Sequence, residues 1–262
     1  MKVDVGVIVG RGAAAEEAEI GFGRDLVPRA GGDQDGVSGT DVARDAVDLL
    51  RELLASSADG GVTIVSVGTA TNLAGLLRST SDARSDLAGV ELVRRRVTLL
   101  SIMAGAFQTV DGDTRHLEAN VVNDIRSMQT VATEWPEDVP VVWSGYEIGA
   151  ALPYPRRSVA DDFHVPTPHL VREAYLAYCG PDHDRPCWDQ SSVLQAVLPD
   201  RGFFGLSPPG RVVVGEDGAT EFVPARGHQD RSRRDRFLTM SPIQQARALE
   251  AIVQFTSQPP RR

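Results

Sequence analysis

The sequence predicts an α/β protein with an open, mostly parallel sheet, helices on both faces and a late antiparallel hairpin. Short β-branched runs recur along the chain without polar alternation, which is typical of strands buried on both faces. Helical patterns separate these runs, as in βαβ units, and a turn signal divides two short apolar runs near the end. The 262 residues suffice for one hydrophobic core. Because no linker or repeat interrupts them, we expect a single domain over residues 1–262.

Each predicted element has a local signal in the sequence. Apolar, mostly β-branched runs predict strands, and apolar residues at helical spacing predict helices. The last helix also has a start signal, since Pro242 lies in its first turn and Ser241 with Gln244 forms a capping box. The segment GEDGA predicts a hairpin turn. In order, we expect strands at 3–9, 62–67, 97–103 and 141–143, hairpin strands at 211–214 and 220–223, and helices at 41–55, 72–77, 123–135, 168–178, 191–197 and 241–255.

Charge and composition exclude several classes of function. The formal net charge is -9, whereas binding to nucleic acid needs a basic surface. No apolar run approaches the 18 residues of a membrane span, and the first residues lack the regions of a signal peptide. Two cysteines fit a reducing compartment. We therefore expect a cytoplasmic protein that binds neither nucleic acid nor membrane.

A glycine-rich turn follows the first predicted strand. Gly10–Ala15 matches G-x-G-x-x-A, the dinucleotide fingerprint in which a pyrophosphate lies on a helix N-terminus. The acidic residue that would complete it, Asp33, lies in a glycine-rich loop and not after a strand. A nucleotide-binding oxidoreductase is therefore one hypothesis, and a simple turn from strand to helix is the alternative.

Three other segments bear polar side chains where ligands bind in open α/β sheets, beyond the carboxyl ends of the strands. The turn around Thr71 could ligate an ion or cap a helix. Glu118 and Asn120 could hold the hydroxyls of a polar ligand, or belong to a solvated loop and a helix start. Trp188 and Asp189 could form an aromatic wall beside a metal carboxylate, or a helix N-cap. The residues alone leave these alternatives open.

Taken in order, these segments resemble the inosine-uridine-preferring nucleoside hydrolase family. Residues 62–77, VTIVSVGTATNLAGLL, are similar to the family's strand and its G-P-L-T-N-L-A turn. Residues 100–124 are similar to its M-G-G, G-N, E-F-N and D-P-E-A stretch. Residues 144–149, SGYEIG, and 184–193, DRPCWDQSSV, resemble one bacterial branch with W-D in the late motif. The resemblance runs from about residue 3 to residue 255.

The resemblance implies hydrolysis of the N-glycosidic bond of a ribonucleoside with a bound Ca²⁺ ion. Carried over residue by residue, Thr71 would give its backbone carbonyl and Asp189 its carboxylate to the calcium. Glu118 and Asn120 would bind ribose hydroxyls. Asp113 stands near the family's G-N asparagine, one residue short in spacing. Trp188 replaces a histidine, so it could stack on a ligand or donate one N–H.

The sequence departs from the family at its beginning. The family opens with D-x-D-x-x-x-D-D, which supplies most calcium carboxylates and the catalytic base, and this chain has no such sequence. At about 30 residues per βαβ unit, roughly 50–70 residues would be missing. Either the reading frame starts upstream, or the protein lacks the base and the metal pocket.

The departure sets what we expect of the chain as given. We expect no catalytic base within it and little activity, because one carbonyl and one carboxylate rarely hold Ca²⁺, which takes six to eight oxygens. Without the missing strands the sheet would have an open edge, and a second copy of the chain in a homo-oligomer could cover it. The main alternative is an inactive homologue that binds a nucleoside or ribose.

Overall fold

The computed structural model describes residues 45–163, 169–227 and 234–258, and the structural statements below concern those residues. The predicted strand at 3–9, the turn Gly10–Ala15 and Asp33 lie outside them. In chain order the described strands are β1 (Val62–Ser66), β2 (Val97–Met103), β3 (Val141–Ser144), β4 (Pro153–Tyr154), β5 (Arg185–Pro186), β6 (Gly205–Leu206), β7 (Gly210–Val214), β8 (Thr220–Pro224) and β9 (Asp235–Thr239). The described helices are α1 (Ala46–Ser56), α2 (Thr71–Arg78), α3 (Gly89–Arg96), α4 (Ala119–Val122), α5 (Ile125–Glu134), α6 (Tyr146–Ala150), α7 (Arg156–Asp161), α8 (Leu170–Cys179), α9 (Trp188–Val197) and α10 (Pro242–Ser257).

A mixed sheet, parallel in its first four strands, organises the described part of the chain. Its order is β1-β2-β3-β9-β7-β8, and β1, β2, β3 and β9 run parallel. The β7–β8 hairpin is antiparallel, as are the pairings of β9 with β6 and β7. The predicted α/β fold with a mostly parallel sheet and a late hairpin is therefore confirmed. The carboxyl ends of β1, β2 and β3 share one edge of this sheet.

Helices pack on both faces of the sheet, because the strands alternate their side chains between two cores. In β3, Val141 and Trp143 face a core shared with α1, α2, α3 and α5. Val142 faces a second core, shared with α9 and α10. Trp143 is wholly buried. Two apolar layers thus sandwich the sheet and hold its carboxyl edge rigidly.

A buried ion pair fixes the strand that joins the parallel strands to the hairpin. Arg234 and Asp235 form a salt bridge in which both side chains have no exposed surface. Arg234 donates to the carbonyls of Trp135 at 2.7 Å and Ala132 at 2.8 Å, near the end of α5. Asp235 accepts from the backbone N–H of Val212 at 2.7 Å. The pair therefore joins α5, β7 and β9 and leaves none of these charges without partners.

The predicted elements that fall within the described residues agree with the structure in type and order. Strand 97–103 has the predicted bounds, and the hairpin lies where GEDGA predicts it. Helix α10 has the predicted capping box of Ser241 and Gln244. The helix expected at 191–197 begins three residues earlier, at Trp188. None of the helices in the described ranges has the length and apolar character that crossing a membrane requires.

Candidate functional site at the carboxyl edge of the sheet

Loops that follow β1, β2 and β3 meet at the carboxyl edge of the sheet, and the first turn of α9 lies beside them. Hydrogen bonds join the loops directly: Ala104 donates its N–H to the carbonyl of Ser144 at 3.2 Å, and Tyr146 donates its own to Gly105 at 2.8 Å. The structure therefore brings together the segments that the sequence places after separate strands.

Glu118 lies at the centre of this edge with only 3% of its surface exposed. It is the N-cap of α4, and three backbone N–H groups donate to its carboxylate. They are those of Asn120 at 2.9 Å, Gly105 at 3.2 Å and Val121 at 3.3 Å. Burial raises the pKa of Glu118 against these hydrogen bonds, and the charge of Asp189 raises it further. Glu118 therefore does not lie in a solvated loop, and that alternative is wrong. The expected helix start is confirmed, since Glu118 caps α4.

Asn120 is partly buried next to Glu118. Its side-chain amide donates to the carbonyl of Met103 at 3.0 Å and lies 3.1 Å from the Met103 sulfur. These contacts fix the amide plane. Among the described residues no hydrogen-bond donor contacts its carbonyl oxygen, so this oxygen is open to a ligand.

Asp189 lies in the first turn of α9 and faces Glu118 closely enough to act on its pKa. The surrounding protein raises the pKa of Asp189 although part of its surface stays exposed, and Arg185 opposes the rise. The N-cap of α9 is Cys187, with no side-chain capping bond. Asp189 is therefore not the N-cap, and its carboxylate is available at the sheet edge.

Trp188 forms part of an aromatic wall, but its N–H already has a partner. The indole nitrogen donates to the carbonyl of Tyr146 at 3.0 Å. The rings of Trp188 and Tyr146 lie 5.3 Å apart, and His116 lies 4.0 Å from Tyr146. Arg185 stacks on the indole at 5.2 Å. Of the two roles expected for Trp188, stacking is compatible with this geometry, and donation of its N–H to a ligand would break an existing bond.

Thr71 is tied to a residue that the sequence analysis did not single out as a site residue. Thr71 is the first residue of α2, whose N-cap is Ala70. Its hydroxyl donates to Asp124 at 2.5 Å, and Asp124 also caps α5 through the N–H of Ser127 at 3.1 Å. Although partial burial opposes it, these hydrogen bonds hold the pKa of Asp124 below its usual range. Asp124 thus joins the first turns of α2 and α5, and the helix-cap alternative for Thr71 is wrong.

Asp113 makes contacts within its own turn and none with the other predicted site residues. It pairs with Val110 across a turn in which Asp111 and Gly112 have positive φ values. Its exposed carboxylate accepts the backbone N–H of Arg115 at 2.8 Å. No contact of Asp113 with Glu118 or Asn120 is present in this structure.

Glu147 is a second half-buried carboxylate at the edge, on α6 directly after β3. The N–H of Phe107 donates to it at 3.3 Å, and the Gln108 amide lies 3.5 Å away. Burial raises its pKa against these bonds. The segment SGYEIG pointed to this loop, but nothing in the sequence places Glu147 against the loop after β2.

The described residues do not by themselves complete a calcium site. Ca²⁺ takes six to eight oxygen ligands. No group of three or more His, Cys, Asp or Glu side chains in the described ranges is arranged to hold a metal ion. Three of the acceptor positions on Glu118 are taken by backbone N–H groups. A cation at this edge would therefore need further oxygen ligands from water or from outside the described residues.

Comparisons with known proteins agree with the fold and the order of motifs. Residues 4–183, more than half of the chain, match the family model described as inosine-uridine preferring nucleoside hydrolase. A plant nucleoside hydrolase shares 18% identity at a TM-score of 0.61, covering 85% of this chain and 70% of its own. A purine-preferring ribonucleoside hydrolase from Gardnerella vaginalis shares 16% at 0.59, covering 82% and 67%. An inosine-uridine preferring nucleoside hydrolase from Bacillus anthracis shares 15% at 0.56, covering 82% and 66%.

At these identities the solved structures establish similarity of fold alone. None of the curated proteins matches this chain in sequence. The family match rests instead on the sequence model, which spans the loops after β1, β2 and β3. The chain belongs to the inosine-uridine preferring nucleoside hydrolase family.

Proposed function

We propose that this protein binds a ribonucleoside at the carboxyl edge of the sheet and that the associated reaction is hydrolysis of the N-glycosidic bond. The observation that carries the proposal is the buried Glu118 carboxylate, held by three backbone N–H groups beside the open carbonyl oxygen of Asn120. Two fixed acceptors two residues apart in the sequence suit the neighbouring hydroxyls of a ribose.

The chemistry of the two residues fits this role. A carboxylate offers about four acceptor positions, so Glu118 keeps one for a ribose hydroxyl after receiving its three backbone donors. Asn120 receives a second hydroxyl on its carbonyl oxygen. Because glycoside hydrolysis passes through an oxocarbenium-like state, the negative charges of Glu118 and Asp189 would stabilise the positive charge on the sugar.

The aromatic wall would contact the nucleobase. Trp188 and Tyr146 offer ring faces, and offset stacking of aromatic rings contributes about 0.5–1.5 kcal/mol. Because the N–H of Trp188 already donates to Tyr146, it would not protonate the leaving base. Asp113, whose carboxylate is exposed, remains a proposed ribose contact.

Calcium belongs to the proposal as the expected cation. Asp189 would give a carboxylate and Thr71 its backbone carbonyl, and when bound the ion would supply activation of a water molecule. Since these ligands are too few for Ca²⁺, we expect the 262 residues alone to bind a nucleoside without Ca²⁺ and to hydrolyse it slowly or not at all. A nucleoside is the proposed small-molecule partner, and the cytoplasm is the proposed location of the protein. Assembly into a homo-oligomer stays a prediction.

Calorimetry with inosine and uridine tests binding, and release of free ribose tests hydrolysis, each with and without Ca²⁺. The informative variant is Asn120→Ala, and Asn123→Ala is its matched control, since Asn123 is exposed three residues along the chain. We expect nucleoside binding that only Asn120→Ala weakens. Equal binding by both variants, or no binding by the wild-type chain, would overturn the proposed site.

A second candidate function is a non-catalytic nucleoside-binding protein. The observation that favours it is the lack of a metal-holding cluster among the described side chains. Calcium-dependent ribose release would exclude this candidate, whereas binding with no release at any Ca²⁺ concentration fits both candidates.

A further inference from the structure

Four buried serine hydroxyls lie between α9 and the sheet, directly beneath the turn that carries Trp188 and Asp189. Ser191 and Ser192, both on α9, have no exposed surface, nor does Ser101 on β2. Ser144, the last residue of β3, is 1% exposed. The surrounding core is apolar, so hydroxyl groups there must find partners within the protein.

The four hydroxyls form two closed pairs between the helix and adjacent strands. Ser191 donates to the carbonyl of Trp188 at 2.6 Å. Because a serine has one proton to donate, Ser144 is the donor in the 2.7 Å bond between Ser144 and Ser191. Ser101 bonds the carbonyl and hydroxyl of Ser192 at 3.0 and 2.9 Å. One pair is thus attached to β3 and the other to β2.

These bonds determine how α9 sits along the sheet. Apolar contacts are non-directional and would permit small shifts of the helix, whereas hydrogen bonds weaken steeply when distance or angle changes. The chain of two hydrogen bonds from Ser144 to Ser191 and from Ser191 to Trp188 runs from the end of β3 to the first residue of the helix. A shift of α9 would break it, and would move Asp189, the next residue, away from Glu118.

We propose that Ser191 is a positioning residue, which through Ser144 holds the first turn of α9 so that Trp188 and Asp189 face the candidate site. The expected effect on nucleoside binding rests on the proposed function. The expected effect on the position of the first turn of α9 rests on the serine hydrogen bonds alone.

The direct readout is the indole proton of Trp188, which donates to Tyr146 and so reports the position of the turn. Its exchange with solvent is followed by NMR, with the resonance assigned through Trp188→Phe. The indole nitrogens of Trp135 and Trp143 are buried without hydrogen-bond partners and serve as internal references. In Ser191→Ala we expect exchange at Trp188 to rise about tenfold relative to both references, as loss of one hydrogen bond predicts.

Two further variants make the test decisive. Ser144→Ala removes the same bond from the strand side and should have the same effect, so it decides the matter where Ser191→Ala does not fold. Ser158→Ala is the control, because Ser158, which lies on α7, is also buried and its hydroxyl bonds that of Tyr154 at 3.1 Å. It should leave the exchange at Trp188 unchanged. Unchanged exchange in both site variants, or an equal rise in the control, would overturn the inference.

Nucleoside affinity separates this inference from the proposed function. Where the wild-type chain binds inosine, Ser191→Ala should weaken binding about fivefold and Ser158→Ala should not. Faster exchange at Trp188 in a protein that binds no nucleoside would support the positioning role and contradict the proposed function. Undisturbed exchange in a protein that does bind would contradict the positioning role alone.

Discussion

Replacing Glu118 with glutamine separates what the residue does for the fold from what it does for a ligand. Burial raises the pKa of Glu118 despite three backbone donors, so folding disfavours the charged carboxylate relative to the neutral carboxyl group. Glutamine resembles that neutral form. Its oxygen can keep the two N–H groups of Gly105 and Val121, which both bond Oε2, and only the N–H of Asn120 at 2.9 Å loses its acceptor.

The sign of the pH dependence follows from linkage. A raised pKa in the folded state contributes stability below the unfolded pKa and loses it as pH rises through the folded value. Wild-type protein should therefore lose stability relative to Glu118→Gln as pH rises from about 4.3, the unfolded pKa of glutamate, through the raised folded value. Glu118→Ala, which leaves the three backbone N–H donors without their acceptor and removes the N-cap of α4, should cost about 2–4 kcal/mol throughout.

Urea denaturation followed by tryptophan fluorescence measures both variants across that range. Asp124→Asn is the contrasting control, because its folded pKa is lowered and its stabilisation is lost only as pH falls through that lowered value. Its cost should stay constant between pH 5.5 and pH 8.5. A Glu118→Gln variant that grows less stable than wild type as pH rises would refute the reasoning. Calorimetry should find its nucleoside binding about 10-fold to 100-fold weaker, since a hydrogen bond to a charged group is lost.

Three further outcomes follow from buried contacts. Arg51→Met should lower the midpoint of urea denaturation, because it removes the buried guanidinium that bonds Asp82 at 2.7 Å and the carbonyls of Ser85 and Leu87; an unchanged midpoint would contradict this. Burial raises the pKa of Cys187 to about 12, so about one thiol in 10⁴ is ionised at pH 8, and a thiol reagent should label it only after unfolding. Gly149→Ala would place a methyl group 2.2 Å from Trp188 and should lower the melting temperature, whereas Gly68→Ala, with nothing within 4 Å, should not; equal shifts would exclude the steric cause.

The strands that could be predicted are those whose side chains are apolar on both faces. Residues 97–103 form β2 as expected, because Leu100 and Ile102 face one core and the run contains no charged residue. The sequence did not predict strand β9, because it begins with Asp235 directly after Arg234, and charged residues are typical of a surface. Their charges cancel in a buried pair that also bonds α5 and β7, a partnership that no local pattern reveals.

The geometry of the candidate site was predictable where its residues form contiguous motifs. Glu118 and Asn120 are two residues apart, and their backbone and side chains bond directly. The bond from Thr71 to Asp124 joins residues 53 positions apart, so its existence depends on how α2 packs against α5. The serine bonds to α9 span 91 and 47 positions. Spacing along the chain indicates which residues could act, and the packing of helices on the sheet decides which of them meet.

A crystal structure with inosine bound would test the central claim most directly. The account predicts ribose hydroxyls within about 3.2 Å of a Glu118 carboxylate oxygen and of the Asn120 side-chain oxygen, with the base beside Trp188. A nucleoside bound elsewhere, or one at this edge whose ribose contacts neither Glu118 nor Asn120, would contradict it.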